Sequence, residues 1–290
     1  MDDYYFSLLP IYYQKFHPTA QLYHWLEVTE SREISFTLQN NVYIRYVTCD
    51  TLDIFKEKLI REVPIKIDIG AVYNVRPRHG VELIPRSKEL VFDIDLTDYT
   101  RDCCDGKTMC NACFIIVKAG ICLLNYALRE EFGFKKLLFI YSGGRGVHCW
   151  VFDDIAKQLS NLDRISIVKY FKTVISKKKY SSEYTNILKN YVSFFDTQKF
   201  EVSSNSFTEE DLYNYLFIRL DENVTSEIKH LLKAPFSVHS LTKKISVPLD
   251  PERLDGLRIE DIPDLKIVCE NPATLSPFIS YFENTISYKQ

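Results

Sequence analysis

The sequence has 290 residues, of which 46% are hydrophobic, 26% are charged and 14% are aromatic. This composition is typical of a soluble globular protein with one large domain, or a large domain with a small appendage, and it excludes a disordered chain. The net charge of −3 excludes a uniformly basic protein that binds nucleic acid nonspecifically, but it is compatible with a local basic groove.

Eight cysteines are spread unevenly along the chain and do not resemble the framework of a disulfide-rich secreted protein. The N-terminus carries no signal-peptide pattern, and no stretch is expected to be long and apolar enough to span a bilayer. We therefore expect a reducing, intracellular compartment, in which clustered cysteines bind metal more often than they form disulfides.

The first part of the chain predicts two helices and an antiparallel sheet. Residues Tyr4–Leu26 are typical of two short, aromatic-rich helices. Strict alternation of polar and apolar residues predicts a β-hairpin of Glu33–Leu38 and Val42–Val47, followed by a third strand at Pro64–Gly70. Such strands form a sheet with one apolar and one polar face, and the polar face is expected to be solvated.

Two aspartates interrupt the apolar run Glu89–Leu96. Because side chains alternate along a strand, Asp93 and Asp95 share one face while their apolar neighbours point into a core. Two carboxylates on one rigid face repel each other unless a divalent cation lies between them, and paired cations held in this way serve nucleotidyl transfer. The alternative is an edge strand whose outer face is simply solvated.

Four cysteines follow this strand within one short loop. Cys110 and Cys113 have the Cys-x-x-Cys spacing that lets two thiolates reach one zinc ion. Cys103 and Cys104 complete a set of four ligands. Since all four positions would be filled by protein, such a site would be structural, and the alternative is a group of reduced thiols without metal.

A glycine-rich loop joins two strands further along the chain. Residues Phe114–Phe132 predict a largely buried helix, and Leu137–Ser142 and Val147–Phe152 are the predicted strands on either side of Gly143–Gly146. A loop of this kind exposes backbone N–H groups and leaves room for a phosphate, whereas the alternative is a plain hairpin turn. The side chains that flank the loop as donors are Ser142, Arg145 and His148.

The next segment is predicted to be a small helical insertion. Leu159–Ile175 and Tyr184–Phe195 both have helical periodicity. The basic run Lys177–Lys179 joins them as a solvated link, with contact to a nucleic-acid template as the alternative.

The sheet is expected to resume with a strand at Tyr215–Asp221, which ends on a third carboxylate. Asn223 is the expected N-cap of a following helix that runs to about Leu232. On this interpretation Arg219 shares a strand face with Asp221 and is a candidate cation to offset its charge.

A second β-hairpin is expected to follow, made of Phe236–His239 and Lys244–Pro248. Lys233 and His239 lie near its beginning and add cationic and hydrogen-bonding groups. The C-terminal forty residues predict a polar loop and an amphipathic helix from about Thr274, with no chemistry assigned to them.

Several of these motifs together resemble the small, catalytic subunit of eukaryotic and archaeal-type DNA primases, and the eukaryotic form fits better. The similarity covers essentially the whole chain in order. The residues that carry it are the four-cysteine loop and the runs Arg32–Leu38, Tyr43–Tyr46, Lys66–Tyr73, Glu89–Tyr99, Phe132–Phe134, Tyr141–Trp150, Arg219–Asp221 and His230–His239.

The resemblance implies an α+β fold of mixed, largely antiparallel catalytic sheets flanked by helices. The catalytic domain would comprise residues 1–155 and 212–290, with a zinc-binding loop at 102–114, and residues 156–211 would form the small helical insertion subdomain. The insertion is short compared with that of the eukaryotic family members.

The resemblance also implies a DNA-directed RNA polymerase that starts short RNA primers on single-stranded DNA from NTPs. Two divalent metals, Mg²⁺ or Mn²⁺, would bind Asp93, Asp95 and Asp221, and one structural Zn²⁺ would bind the cysteine loop. The implied nucleotide-binding residues are Ser142, Arg145, His148, Lys233, His239, Lys66 and Asp68, with Glu33 and Arg45 as further members. The implied partners are the large primase subunit and the DNA polymerase alpha complex, in the nucleus and away from any membrane.

One residue departs from the family pattern. Gly144 stands where the family usually has a second arginine, so one contact to the triphosphate would be missing or supplied elsewhere.

Two alternative functions stay open. One is a repair-type polymerase or terminal transferase that extends existing ends, against which the cysteine loop and His230–His239 argue. The other is an inactive scaffold subunit, against which the intact set of three aspartates argues.

Overall fold

The structure, a computed structural model, describes residues 2–101, 103–104, 108–193 and 208–287. The strands are β1 Arg32–Thr37, β2 Tyr43–Val47, β3 Lys66–Tyr73, β4 Pro85–Ser87, β5 Leu90–Asp95, β6 Leu137–Tyr141, β7 Gly146–Val151, β8 Leu232–Lys233 and β9 Pro248–Leu249. The helices are α1 Asp3–Lys15, α2 Thr19–Trp25, α3 Leu52–Glu62, α4 Asn111–Tyr126, α5 Asp154–Lys157, α6 Asn161–Ser176, α7 Ser182–Val192, α8 Glu209–Leu216, α9 Glu222–Ser226, α10 Leu265–Glu270 and α11 Ser276–Ser287. These elements confirm the predicted α+β class, in which antiparallel sheets are flanked by helices.

The first sheet has the strand order β2–β1–β3–β4, and β8 also pairs with β3. The predicted hairpin and third strand are confirmed, because β1 pairs antiparallel with both β2 and β3. Ile34, Phe36 and Ile67 are fully buried on the apolar face, as alternation requires. The polar face is covered only in part, since Ser35 and Asp68 are 0% and 3% exposed whereas the side chain of Lys66 is 45% exposed.

The second sheet has the strand order β5–β7–β6–β9. Its antiparallel register places Asp93 opposite His148 and Asp95 opposite Gly146. A Cβ atom at Gly146 would lie 2.2 Å from the carbonyl oxygen of Ile94, so glycine is required where β5 and β7 approach each other.

Helix α4 packs at the centre of the hydrophobic core. It continues through a π-helical turn at Ala127–Glu131, and Gly133, with φ of 75°, lies just after it. By length and composition, Asn111–Glu131 could cross a membrane, which the sequence analysis did not expect. Because 61% of its most apolar window is buried inside the protein, this segment is instead a core helix of the fold.

Helices α6 and α7 lie in the predicted insertion, and each begins with a serine N-cap, Ser160 and Ser181. Helix α6 packs against α9, and α7 packs against α4 and α8, so these helices contact the rest of the fold. The end of the second predicted helix, at residues 194–195, lies outside the described residues, and so do residues 102 and 105–107 of the cysteine loop. The proposed domain boundaries stay a prediction.

The predicted strand at Tyr215–Asp221 is wrong. Thr208 and Asp211 form a capping box that starts helix α8, and this helix runs through Tyr215 to Leu216. The residues that follow are extended but form no ladder, and Asp221, rather than Asn223, caps α9 by accepting hydrogen bonds from the backbone of residues 223 and 224. The capping carboxylate therefore moves the start of the helix two residues earlier than expected.

Two further boundaries differ from the prediction. Helix α9 ends at Ser226 rather than near Leu232, and Leu232 belongs to β8. The second hairpin is reduced to an isolated bridge between Val238 and Ile245, with a few flanking backbone hydrogen bonds. A positive φ of 63° at Phe236 bends the chain at the start of this hairpin, so a regular ladder cannot form there.

Candidate active site

The three predicted carboxylates lie together at one edge of the second sheet. Asp93 and Asp95 project from the same face of β5, and Asp221 reaches them from a distant part of the chain. The backbone N–H of Asp221 donates to the carbonyl of Asp93 at 3.1 Å, which fixes the third aspartate beside the strand.

The carboxylates strongly influence one another. Burial, followed by the charges of Asp95 and Asp221, raises the pKa of Asp93 from 3.8 to about 7. The pKa of the neighbouring Asp98 is also raised, by burial and then by the same two charges. Such a concentration of carboxylates stabilises a bound cation, and oxygen ligands of this type suit Mg²⁺ or Mn²⁺.

Each carboxylate is held by a different contact. The Asp95 carboxylate accepts from the Thr97 backbone N–H at 2.8 Å and lies 3.7 Å from the guanidinium of Arg145. The Asp93 carboxylate lies 3.7 Å from Nε2 of His148, its neighbour on β7. The Asp95 carboxylate therefore has a cation beside it, and the Asp93 carboxylate has an imidazole beside it.

The first sheet supplies cations to the same site. Lys66 forms an ion pair of 3.0 Å with the buried Asp68, and Lys233 on β8 lies directly opposite Asp68. The Lys233 ammonium donates to the carbonyl of Ser142 at 3.0 Å, which connects this sheet to the glycine-rich loop of the other. Burial, followed by the charge of Lys66, lowers the pKa of Lys233 to about 8, although the carboxylates oppose this shift.

Both predicted histidines are neutral at physiological pH. Burial and the charge of Lys233 lower the pKa of His148 to about 3 and that of His239 to about 4. The Thr242 N–H donates to Nδ1 of His239 at 3.2 Å, so the neutral ring carries its proton on Nε2 and can donate a hydrogen bond from there. Nδ1 of His148 is buried and has no hydrogen-bond partner among the described residues.

The glycine-rich loop differs from the expected open phosphate cradle. The N–H groups of Gly144 and Gly146 donate to Oγ of Ser142, at 3.3 and 3.2 Å, instead of pointing outward. His239 packs directly on the loop, because a Cβ atom at Gly144 would lie 2.8 Å from its Nε2. The imidazole of His239 therefore lies where a side chain at position 144 would begin.

Glu33 and Arg45 form an ion pair in which Glu33 is buried and Arg45 is partly exposed. Arg45 donates twice to one oxygen of Glu33, at 2.9 and 2.7 Å, and the hydroxyl of Tyr73 donates to the other oxygen at 3.1 Å. Glu33 is fully buried, whereas the Arg45 side chain is 38% exposed. Of this pair, Arg45 is the residue able to reach a ligand, and Glu33 orients it.

Arg219 does not act as expected. Its guanidinium donates to the carbonyl of Asp98 and lies 4.7 Å from the ring centre of Tyr99. Its charge lowers the pKa of Asp98, opposing the effect of burial, rather than pairing with Asp221. The sequence analysis also missed Asp98 and Thr242, and only the short spacing of Asp98 from Asp95 could have suggested the first.

The four cysteines form a cluster in which all Sγ atoms lie within 4.8 Å of one another. The distances from Cys113 to Cys104 and Cys110 are 3.8 and 3.9 Å, close to the edge of about 3.8 Å expected for four sulfurs around one zinc ion. Burial raises the pKa of Cys103 to about 12, so its thiolate needs a cation. The cluster could therefore bind a metal ion.

Carboxylates at one edge of a sheet, with lysines, an arginine and neutral histidines beside them, define an enzyme site for phosphate-bearing substrates of the nucleotidyltransferase class. Comparison with known proteins agrees. A family model described as DNA primase small subunit matches residues 92–251, more than half of the chain. The chain belongs to this family, and the predicted family and enzyme class are thereby confirmed.

Individual relatives show how far the similarity extends. The DNA primase small subunit of Drosophila melanogaster is 39% identical over 58% of this chain, and the match spans 41% of that protein. The DNA primase small subunit of Schizosaccharomyces pombe is 29% identical over 88% of this chain and 76% of its own length. The archaeal DNA primase small subunit PriS of Pyrobaculum islandicum is 25% identical over 91% of this chain and 85% of its own.

Proposed function

We propose that this protein initiates and synthesises short RNA primers on single-stranded DNA, by two-metal nucleotidyl transfer from NTPs. The observation that carries the proposal is the meeting of Asp93, Asp95 and Asp221, with the Lys233 ammonium close enough to lower the pKa of Asp93. An anionic group that binds metal and a cationic group that binds phosphate are the two requirements of this chemistry.

Asp93, Asp95 and Asp221 would hold two ions of Mg²⁺ or Mn²⁺. Their fit rests on the placement of three carboxylates together, and burial, followed by the charges of Asp95 and Asp221, raises the pKa of Asp93, an effect that a bound cation would offset. Bound there, the two ions would activate the attacking 3′-hydroxyl and stabilise the departing pyrophosphate.

The remaining side chains would bind and orient the incoming nucleotide. Lys233 and Arg145 carry positive charge beside the aspartates, and both would neutralise triphosphate oxygens. His239 would donate from Nε2, and Ser142 would act by holding the loop in shape. His148 lies against Asp93, while Lys66 and Asp68 border the site from the first sheet. Arg45, oriented by Glu33, would contact the initiating nucleotide.

The cysteine cluster would hold one structural Zn²⁺ through Cys103, Cys104, Cys110 and Cys113. Arg101 connects this cluster to the aspartate strand, since it donates to Sγ of Cys113 and to the carbonyl of Leu96. We further propose that the protein works in the nucleus with a large primase subunit and the DNA polymerase alpha complex, because its motifs resemble the eukaryotic form most.

The decisive experiment is synthesis without a primer. The protein is incubated with a polythymidine template, ATP and Mn²⁺ or Mg²⁺, and dinucleotides and longer RNA products are resolved by gel electrophoresis. A parallel reaction offers a DNA duplex with a free 3′ end. Products from ATP and template alone support the proposal, whereas extension of the free end without such products would assign the protein to end-extending polymerases. No product in either reaction would favour a scaffold subunit.

A further inference from the structure

The chain passes from the first sheet to the second through two buried, charged residues, Lys88 and Glu89, here called the crossover. The crossover connects β4 to β5, and its two residues are 1% and 2% exposed. Charged side chains are rarely buried to this extent unless each has a defined partner. The residues that bind Lys88 and Glu89 show which parts of the fold the crossover connects.

Two arginines fix the crossover. Arg32 on β1 forms a two-pronged ion pair with the carboxylate of Glu89, with contacts of 2.5 and 3.3 Å. Arg164 on α6 donates to the carbonyls of Lys88 and Glu89, at 2.7 and 3.2 Å. Arg32 is 2% exposed and Arg164 is fully buried, so these bonds are shielded from water and rigid.

The Lys88 side chain extends away from this cluster to another segment. Its ammonium donates to the backbone carbonyl of His230. His230 lies three residues before Lys233, and Lys88 lies five residues before Asp93. One hydrogen bond therefore connects the segment that leads to Asp93 with the segment that leads to Lys233.

The segment around His230 has further contacts, since the N–H of Ile228 donates to Oδ1 of Asn161 at 3.2 Å and the N–H of His230 donates to the carbonyl of Glu227 at 2.9 Å. The segment lies in the stretch of chain between Asp221 and β8, and β8 itself contains only two residues. Its neighbour Leu231 packs so closely on Gly70 that a Cβ atom at Gly70 would lie 2.9 Å from Cδ2 of Leu231. The bond from Lys88 thus acts together with these backbone bonds, the Leu231 contact and the short β8 pairing to fix the position of the segment.

We propose that Lys88 is a positioning residue, which sets the location of the Lys233 ammonium relative to Asp93 by holding the His230 carbonyl. The inference rests on the proposed function, because it assigns Lys233 to the nucleotide triphosphate. Lys88 touches no substrate and acts through the backbone. If the Lys233 ammonium moved by about 1 Å, its interaction with the bound triphosphate would be much weaker.

The test compares Lys88→Met with Lys118→Met in the full chain. Lys118 is another buried lysine, and it donates to the carbonyl of Asp255 at 3.3 Å. It lines a separate cavity with Tyr191 and Leu257. Both substitutions remove a buried hydrogen bond from an amine to a carbonyl, so a purely structural effect would affect both variants alike.

Two quantities are measured for each variant. They are the KM and kcat for ATP in dinucleotide synthesis, and the Kd for ATP with Mn²⁺ by calorimetric titration. Lys88→Met should raise KM and Kd about five- to tenfold with a smaller change in kcat, and Lys118→Met should leave both near the wild-type values. A folded Lys88→Met protein with unchanged KM and Kd overturns the inference.

A double-mutant cycle tests whether Lys88 acts through Lys233. In a Lys233→Met background, Lys88→Met should change the Kd by less than about twofold, since the group that it positions is gone. A full five- to tenfold effect in that background overturns the assigned route. Should Lys88→Met fail to fold, Lys88→Gln replaces it throughout the cycle and is judged by the same two outcomes.

The titration separates this inference from the proposed function. If the wild-type protein binds ATP but makes no primers, the proposed function fails, while the effect of Lys88→Met on the Kd still decides the inference. If the wild-type protein does not bind ATP, the inference is overturned as well.

Discussion

The backbone N–H of Asp221 donates to the carbonyl of Asp93, and this 3.1 Å bond joins two aspartates that are 128 positions apart in the sequence. Asp221 serves two purposes, because its carboxylate also caps helix α9 through the N–H of Asn223 at 2.9 Å. The cap fixes the carboxylate while leaving its second oxygen available for a ligand.

These two purposes can be separated by Asp221→Asn. Asparagine caps helices as well as aspartate does, so the fold should persist, with a change in the free energy of unfolding below about 1 kcal/mol. Primer synthesis should fall at least a hundredfold because a metal-binding charge is lost. Asp264→Asn is the matched control, since the Asp264 carboxylate caps α10 by accepting from the N–H of Ile267. Activity retained by Asp221→Asn would contradict the metal assignment.

The raised pKa of Asp93 predicts how stability depends on pH in chelator-treated protein. The folded state keeps the proton of this carboxyl up to about pH 7, whereas the unfolded state loses it near pH 4. Raising the pH from 4 to 7 therefore favours unfolding, by up to about 4 kcal/mol from this group. Urea titrations of wild type and Asp93→Asn across this range measure the difference.

Wild type should lose stability relative to Asp93→Asn as the pH rises through that window. Added Mg²⁺ or Mn²⁺ should restore the stability of the wild type near pH 7 more than that of the variant. A constant difference between the two proteins from pH 4 to 7 would refute the raised pKa. The comparison cancels the two histidines, whose lowered pKa values act in the opposite direction.

The sequence was informative where local pattern and burial agree. Alternation identified β1, β3 and β5, because the apolar residues of each strand share one face that packs into the core, and a two-residue period records this directly. The Cys110-x-x-Cys113 spacing likewise predicted that two thiols can reach one metal ion, and the structure brings all four sulfurs together. These features depend on residues close in the chain.

Other features depend on tertiary contacts that no local pattern records. The alternation of Leu216, Ile218 and Leu220 imitates a strand, but Thr208 begins a helix upstream and the extended part finds no partner strand. The two-residue strand β8 forms only because β3 lies beside it. Lys88, in turn, would be expected at the surface, since its burial depends on contacts with Arg164 and His230, which are distant in the sequence.

Zinc should be lost when one ligand of the cysteine cluster is replaced. Cys110→Ser should lower the zinc content from about one ion per chain to well below one, and should lower the melting temperature, because metal binding contributes to folding. Cys122→Ser is the control, since Cys122 lies outside the cluster against the hydroxyl of Tyr191. Elemental analysis and thermal unfolding measure both effects, and a metal-free wild-type protein would refute the zinc assignment.

Gly146→Ala should break the contact between β5 and β7. The new methyl group would lie 2.2 Å from the carbonyl oxygen of Ile94, so the strands must separate next to Asp95. We expect a loss of about 2–3 kcal/mol in the free energy of unfolding, together with loss of activity. Gly256→Ala is the matched control, because no atom lies within 4 Å of its added Cβ, and thermal unfolding of both variants decides the point.

Lys233→Met should weaken nucleotide binding more than template binding. Its ammonium is held at the Ser142 carbonyl beside the aspartates, where a triphosphate would bind, so we expect the Kd for ATP to rise about tenfold or more. The Kd for single-stranded DNA should change less than twofold, because many phosphate contacts contribute to DNA binding.

Since the pKa of Lys233 is lowered to about 8, the affinity of the wild type for ATP should also fall as the pH rises above 8. Titrations of both ligands against wild type, Lys233→Met and the exposed control Lys172→Met provide the comparison, and equal weakening of both ligands by Lys233→Met would contradict the assigned role.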